Sequence, residues 1–248
     1  MRVIVTRPVA QASGWVEALR AAGVEAVALP LIGIEPLADT SAIAAAWHTL
    51  DRNALVMFVS ANAVEQFFAV RPADATWPAA LPAGSTGPGT TRALREQGVA
   101  RIEAPDEAAG RFDTEALWER LRHWPWQGRQ VLVVRGEQGR DWLADTLRAQ
   151  GAQVHALPAY RRLPPRADDS SRALIATALG EPEHTRWLIS SSEALQHLAA
   201  LAPGADWRSS HAWCGHPRIA ESARAAGFGH VEEVGPTTAA VLARLRSG

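Results

Sequence analysis

Lysine is absent from the 248 residues, and all 25 basic side chains are arginine. That excludes Schiff-base chemistry on a lysine amine. It leaves every cationic contact to planar guanidinium forks, which grip carboxylates and phosphates two bonds at a time. Cysteine occurs once, as Cys214, so no internal disulfide is available and a reducing, cytoplasmic setting is expected. No segment is long and apolar enough to cross a bilayer, and the opening MRVIVTRP reads as a strand rather than a secretory leader. A formal net charge of -1 provides no field for nucleic acid or an anionic membrane. Walker and GxGxxG loops are missing, as are CxxC, a Ser-His-Asp order and a paired-carboxylate motif. His211, Cys214 and His216 are close in sequence, but zinc takes three or four protein ligands and no further ligand pair accompanies them. Neither metal nor cofactor is expected. Cys214 reads as a small buried apolar residue and His211 as a strand-edge one.

What is present is a repeat. Residues 3–36 and 131–164 align without a gap at an offset of 128, with 11 of 34 positions identical. Such a period is domain-sized, far beyond a solenoid unit. Each copy opens with a β-branched apolar run, continues with apolar residues at helical spacing, stops at a glycine (Gly23, Gly151), and resumes as a strand. Strand–helix–strand in this order implies a parallel right-handed crossover. Further pairs follow. Residues 54–59 and 187–190 read as strands that lead into serine-opened helices. GPGTTRALREQG at 87–98 matches HPRIAESARAAG at 216–227. About ten strands alternate with helices, which predicts an α/β fold of two doubly wound parallel sheets of about five strands each. Proline-bearing breaks are expected at 30–36 and 158–165, followed by a polar run at 166–172. The ten tryptophans read mostly as core, and Trp124 and Trp126 as a turn or packing staple.

In open α/β sheets ligands bind beyond the carboxyl ends of the strands, where helix N-termini offer N–H donors to anions. Six turns qualify: Arg7-Pro8, Ser60-Ala61-Asn62, Gly87-Pro88-Gly89-Thr90-Thr91, Arg135-Gly136, Ser190-Ser191-Ser192 and His216-Pro217-Arg218. Each alone is as well explained by ordinary helix capping. As a set, on two like units, they predict a site for an anionic ligand. Tyr160, the sole tyrosine, follows the second repeat's last strand beside Arg161 and Arg162, and replaces Ile32 of the first repeat. It is either a packed aromatic or a proton donor. A non-catalytic clamp for an anion and a nucleotide-dependent transferase are the competing readings.

The ordered motifs VTRP, FVSANAVEQF, GPGTTRALREQG, VLVVRGEQGRDWLADTLRAQGAQVHALPAYRR, WLISSSEAL and HPRIAESARAAGF resemble the uroporphyrinogen-III synthase family over essentially the whole chain. The resemblance implies a monomer of two similar (flavodoxin-like) α/β domains joined by two strand-like linkers, with residues 1–36 and 166–248 in one and 38–163 in the other. It implies a small-molecule substrate, the linear tetrapyrrole hydroxymethylbilane with its eight carboxylates, and a cofactor-free ring closure that inverts the last pyrrole and releases water. Tyr160 matches the tyrosine proposed to help the hydroxyl leave. Arg7, Ser60, Asn62, Thr90, Arg135, Gly136, Ser191, Ser192 and Arg218 fall on the substrate-contacting turns. Where the family often shows Gly-Pro-Thr-Thr in its last turn, the aligned residues here are His216-Pro217-Arg218-Ile219, with a guanidinium in place of hydroxyls.

Overall fold

The computed structural model describes residues 1–106, 111–166 and 168–247. The expected polar run and the expected end of the discontinuous domain therefore each include one residue, 167 and 248, outside the described set. The chain divides into two compact units, Met1–Gly33 with Leu163–Gly248, and Ile34–Arg162.

The first unit is built on β1 (Arg2–Val5), β2 (Glu25–Ala28), β9 (Thr185–Ile189), β10 (His211–Cys214) and β11 (His230–Glu233). All four pairings are parallel, in the order β11-β10-β9-β1-β2. Counted within the unit this is the order 2-1-3-4-5 of flavodoxin-like sheets. Helix α1 (Val9–Ala21) crosses from β1 to β2 and buries Ala12, Trp15, Val16 and Leu19 against Val3 and Val5. Glycine at 23, with φ 81°, ends it as the sequence predicts.

The second unit holds β3 (Gly33–Pro36), β4 (Asn53–Phe58), β5 (Ala83–Ser85), β6 (Ile102–Glu103), β7 (Gln130–Gly136) and β8 (Gln153–Leu163), in the order β3-β8-β7-β4-β5-β6. Remove β3 and the order is that of the first sheet, with β7 and β8 in the places of β1 and β2. The duplication is thus a duplication of topology. Leu55, Val56, Met57 and Phe58 are all fully buried. Val56 and Phe58 pack into one core and Leu55 and Met57 into another, as a strand covered on both faces requires.

The expected pair of five-stranded sheets needs one correction: the second has six strands. Residues 33–36, expected to be a break, form β3, and β8 runs on through the second expected break to Leu163. Strand β8 continues past Pro158 because a bulge accommodates the missing donor. Its partner register shifts between Arg135 and Gly136, so that Pro158 lies opposite Arg135 and Tyr160 opposite Gly136. Trp126 is a buried staple: it stacks on Trp124 with ring centroids 5.4 Å apart and donates from Nε1 to Leu121 O at 2.9 Å. Trp142 departs from the expected burial and is 38% exposed.

Candidate active site

In a sheet of this order the ligand crevice lies at the switch point, where the chain leaves adjacent strands in opposite directions. In the second unit that point is between β7 and β4. Strand β4 ends at Phe58, and α3 (Ala61–Ala69) begins three residues later. Ser60 caps it, its Oγ accepting from Ala63 N at 3.1 Å. The same Oγ lies 3.0 Å from the Tyr160 hydroxyl. Tyr160 is fully buried in the core that contains Phe58, Val134 and Ala159. The bulge in β8 leaves Ala159 and Tyr160 both inside. A Cβ at 136 on the facing strand would sit 3.1 and 3.2 Å from two atoms of the phenol ring, so any side chain there obliges the ring to shift by a few tenths of an ångström. The sequence left Tyr160 as either a packed aromatic or a proton donor. The structure packs it fully inside, with the half-buried Ser60 hydroxyl as its hydrogen-bonding neighbour.

The other expected residues of this unit gather around the same strand ends. Asn62 is buried in the first turn of α3, and Thr90 in the first turn of α4 (Pro88–Glu96). Next to Thr90, Thr91 is also buried and its hydroxyl is 2.8 Å from Ser85 Oγ, a pair the motif did not reveal. Arg135 is not an open fork. It is buried, forms an ion pair with Asp141, and donates from Nε to Gly136 O at 3.3 Å. A carboxylate ligand must displace or share Asp141.

The first unit has the corresponding point between β1 and β9. Thr6, not foreseen from sequence, ties the two strands. Its hydroxyl donates to Leu188 O at 2.8 Å and accepts from Ser190 N at 3.1 Å. Ser191 caps α8 (Ser192–Leu201), accepting from Ala194 N at 3.1 Å, as Ser60 does in the other unit. Ser192 Oγ lies 2.7 Å from Ser222 Oγ. Arg7 is half-buried, with its guanidinium 4.5 Å over the Trp15 ring and Nη1 donating to Gln11 Oε1 at 3.3 Å. Arg218 is exposed in the first turn of α9 (Pro217–Ala225), its backbone N–H donating to His216 Nδ1 at 3.1 Å.

A Gly-Pro-Thr-Thr sequence does exist, but one turn later than expected. Gly235-Pro236-Thr237-Thr238 links β11 to α10 (Thr238–Arg246), and Thr237 caps that helix by accepting from Ala240 N at 3.1 Å. A Cβ on Gly215 would lie 3.0 Å from Pro236 Cβ, so this turn packs against the His216 turn. Among the described residues no group of three or more His, Cys, Asp and Glu side chains is placed to hold a metal. Cys214 is buried, and desolvation pushes its thiol up to about 12.

A family model described as uroporphyrinogen-III synthase HemD matches residues 13–243. The chain belongs to the uroporphyrinogen-III synthase family. It is 31% identical to the uroporphyrinogen-III synthase of Salmonella typhimurium over 212 residues, covering 85% of this chain and 83% of the relative. It is 30% identical to that of Escherichia coli over 222 residues, covering 88% and 86%. Two solved structures share the fold. A mutant uroporphyrinogen III synthase from Thermus thermophilus aligns with TM-score 0.60 at 16% identity, covering 100% of this chain and 98% of that one. The Helicobacter pylori uroporphyrinogen-III synthetase aligns with TM-score 0.58 at 14% identity, covering 100% and 99%.

Proposed function

We propose that this chain closes hydroxymethylbilane to uroporphyrinogen III as a monomeric hydro-lyase, without a cofactor. The observation that carries the proposal is the repetition of one device in both units: a serine hydroxyl at the carboxyl end of the strand beside the switch point, capping the next helix. Ser60 and Ser191 are those residues. Helix N-termini and backbone N–H groups of this kind suit a substrate with eight carboxylates. Arg7, Arg135 and Arg218 add guanidinium groups. Asn62, Thr90, Gly136, Ser192 and Thr237 complete the two rims.

The uncatalysed ring closure gives the uninverted isomer, so the enzyme's main task is orientation. In the proposed sequence the hydroxymethyl C–O bond breaks and the hydroxyl leaves as water after taking a proton. The resulting azafulvenium carbon is attacked by the substituted carbon of the last pyrrole, forming a C–C bond and a spiro intermediate. That intermediate then fragments and recloses with the last ring reversed, and loss of a ring proton restores the aromatic pyrrole. Tyr160 supplies the departing hydroxyl's proton through Ser60, since its own oxygen is buried and Ser60 lies 3.0 Å away. A positioned proton donor contributes roughly 10²–10⁴-fold.

The test is incubation of the purified protein with freshly prepared hydroxymethylbilane. Rapid formation of the type III isomer supports the proposal. A product mixture and rate equal to those of buffer alone refute it. Tyr160→Phe is expected to slow the reaction by about 10²-fold or more with the fold retained; wild-type turnover in that variant removes Tyr160 from the mechanism.

A further inference from the structure

At the amino-terminal ends of β9, β10 and β11, the pole of the first unit away from its site turns, sits a second cluster with no role in the chemistry above. The strand register places Arg186 beside His211 and His211 beside His230. Alternation puts Trp213 and its neighbour Glu232 on the same face, one step further along. Helix α10 covers this face only partly: Arg244 pairs with Glu232 and lies 6.0 Å from the Trp213 ring. Arg186, His211, Trp213, His230, Glu232 and Arg244 line a hollow of about 460 Å³. Small-molecule sites span roughly 300–1,000 Å³.

The lining brings two guanidiniums and two imidazoles together with the Glu232 carboxylate, which is paired to Arg244. Arg186 Nη1 donates to Glu183 O at 2.9 Å and to Thr185 O at 3.0 Å, which fixes its guanidinium at the rim. The His211 and His230 rings stack with centroids 4.3 Å apart and planes 12° apart. Two imidazoles so close repel each other once both are protonated, unless an anion joins them. His211 Nε2 is buried without a hydrogen-bond partner among the described residues, and the Glu183 carboxylate is 3.6 Å away. Burial first, then Arg186 and His230, hold the His211 ring below the ordinary imidazole range, with Glu183 acting in the opposite sense. The charged groups facing the pair are therefore Glu183 ahead of β9, Arg186 on β9, Glu232 on β11 and Arg244 on α10. An oxyanion in the hollow adds negative charge beside the pair, on top of the one carboxylate, Glu183, that lies 3.6 Å from His211 Nε2.

We propose that this hollow binds a small carboxylated or phosphorylated molecule, at a site separate from the synthase turns, and that occupancy draws protons onto the His211–His230 pair. Binding strengthens the charged imidazole, so affinity is full below the pKa of the unliganded His211 ring and is lost as pH rises through that of the liganded one.

The test titrates the intact protein with inorganic phosphate and, separately, with tricarballylate. The readout is NMR of the histidine Cε1–H resonances at constant ionic strength. The expected result is saturable movement of the His211 and His230 signals, with affinity weakening about tenfold or more from about pH 6 to about pH 8. Arg186→Gln and His230→Asn are each expected to weaken binding about tenfold while the synthase rate is unchanged. Tighter binding of tricarballylate assigns carboxylate chemistry, and tighter binding of phosphate assigns phosphate chemistry. No saturable shift with either probe up to about 20 mM near pH 6 overturns the proposal. So does binding that is unaltered in both variants.

Discussion

Ser60 and Ser191 perform the same capping task in two units, yet only Ser60 also meets a buried phenol. Losing either cap is expected to cost about 1 kcal/mol. Ser60→Ala also leaves the Tyr160 hydroxyl without its partner inside the core, which adds roughly 1–3 kcal/mol. A double-mutant cycle of Ser60→Ala and Tyr160→Phe, followed by denaturant unfolding, isolates that extra cost. An interaction energy near zero contradicts the pairing. Cys214 gives a second residue-scale prediction. Its thiol is buried and pushed up to about 12, so the folded protein is expected to resist alkylation at mildly alkaline pH and to react promptly in denaturant. Rapid labelling of the folded chain at Cys214 contradicts the burial. The role of Tyr160 was legible only in part. Its uniqueness was on the page, but whether its side chain turns inward depends on a bulge whose only mark in the sequence is Pro158.

That bulge is where the element scale begins. Pro158 hinted at it, since proline inside a strand marks an edge or an irregularity. Reading it as a break instead hid the length of β8, and the matching break expected at 30–36 hid β3. Short strands such as β3, with four residues around a glycine and a proline, carry too little apolar periodicity to be distinguished from a linker. The helices fared better, because apolar spacing is joined in most of them by an end signal: a serine or threonine cap at Ser60, Ser191 and Thr237, or a glycine stop at Gly23, Gly98, Gly151 and Gly227. Two glycines test the packing of elements. Gly136→Ala brings a methyl within 3.1 Å of the Tyr160 ring and is expected to tilt the phenol from Ser60, lowering turnover more than stability. Kinetics and thermal unfolding on one preparation check this, and unchanged turnover contradicts it. Gly229→Ala sets a Cβ 1.8 Å from the Arg208 carbonyl oxygen. Backbone must move there, and a stability loss of about 3 kcal/mol is expected, at the upper end for overpacking. A neutral effect on the unfolding midpoint contradicts the close approach.

At the scale of the whole molecule the duplication was the most legible feature, because an offset shared by strands, helices and glycine stops survives where individual side chains diverge. What sequence comparison within the chain could not supply is the strand order. The repeat already matched β7 and β8 to β1 and β2; only the sheets show that both sets take the same spatial order, with β4, β5 and β6 standing where β9, β10 and β11 stand. The consequence is two equivalent switch points, each flanked by one serine-capped helix, in a chain of the uroporphyrinogen-III synthase family. The most direct measurement uses hydroxymethylbilane carrying a ¹³C label in its final pyrrole. Carbon NMR of the enzymatic product then reports which carbon of that ring has bonded. A label position showing a reversed final ring, in nearly all of the product, is the predicted outcome; a label position showing the ring unreversed contradicts the account.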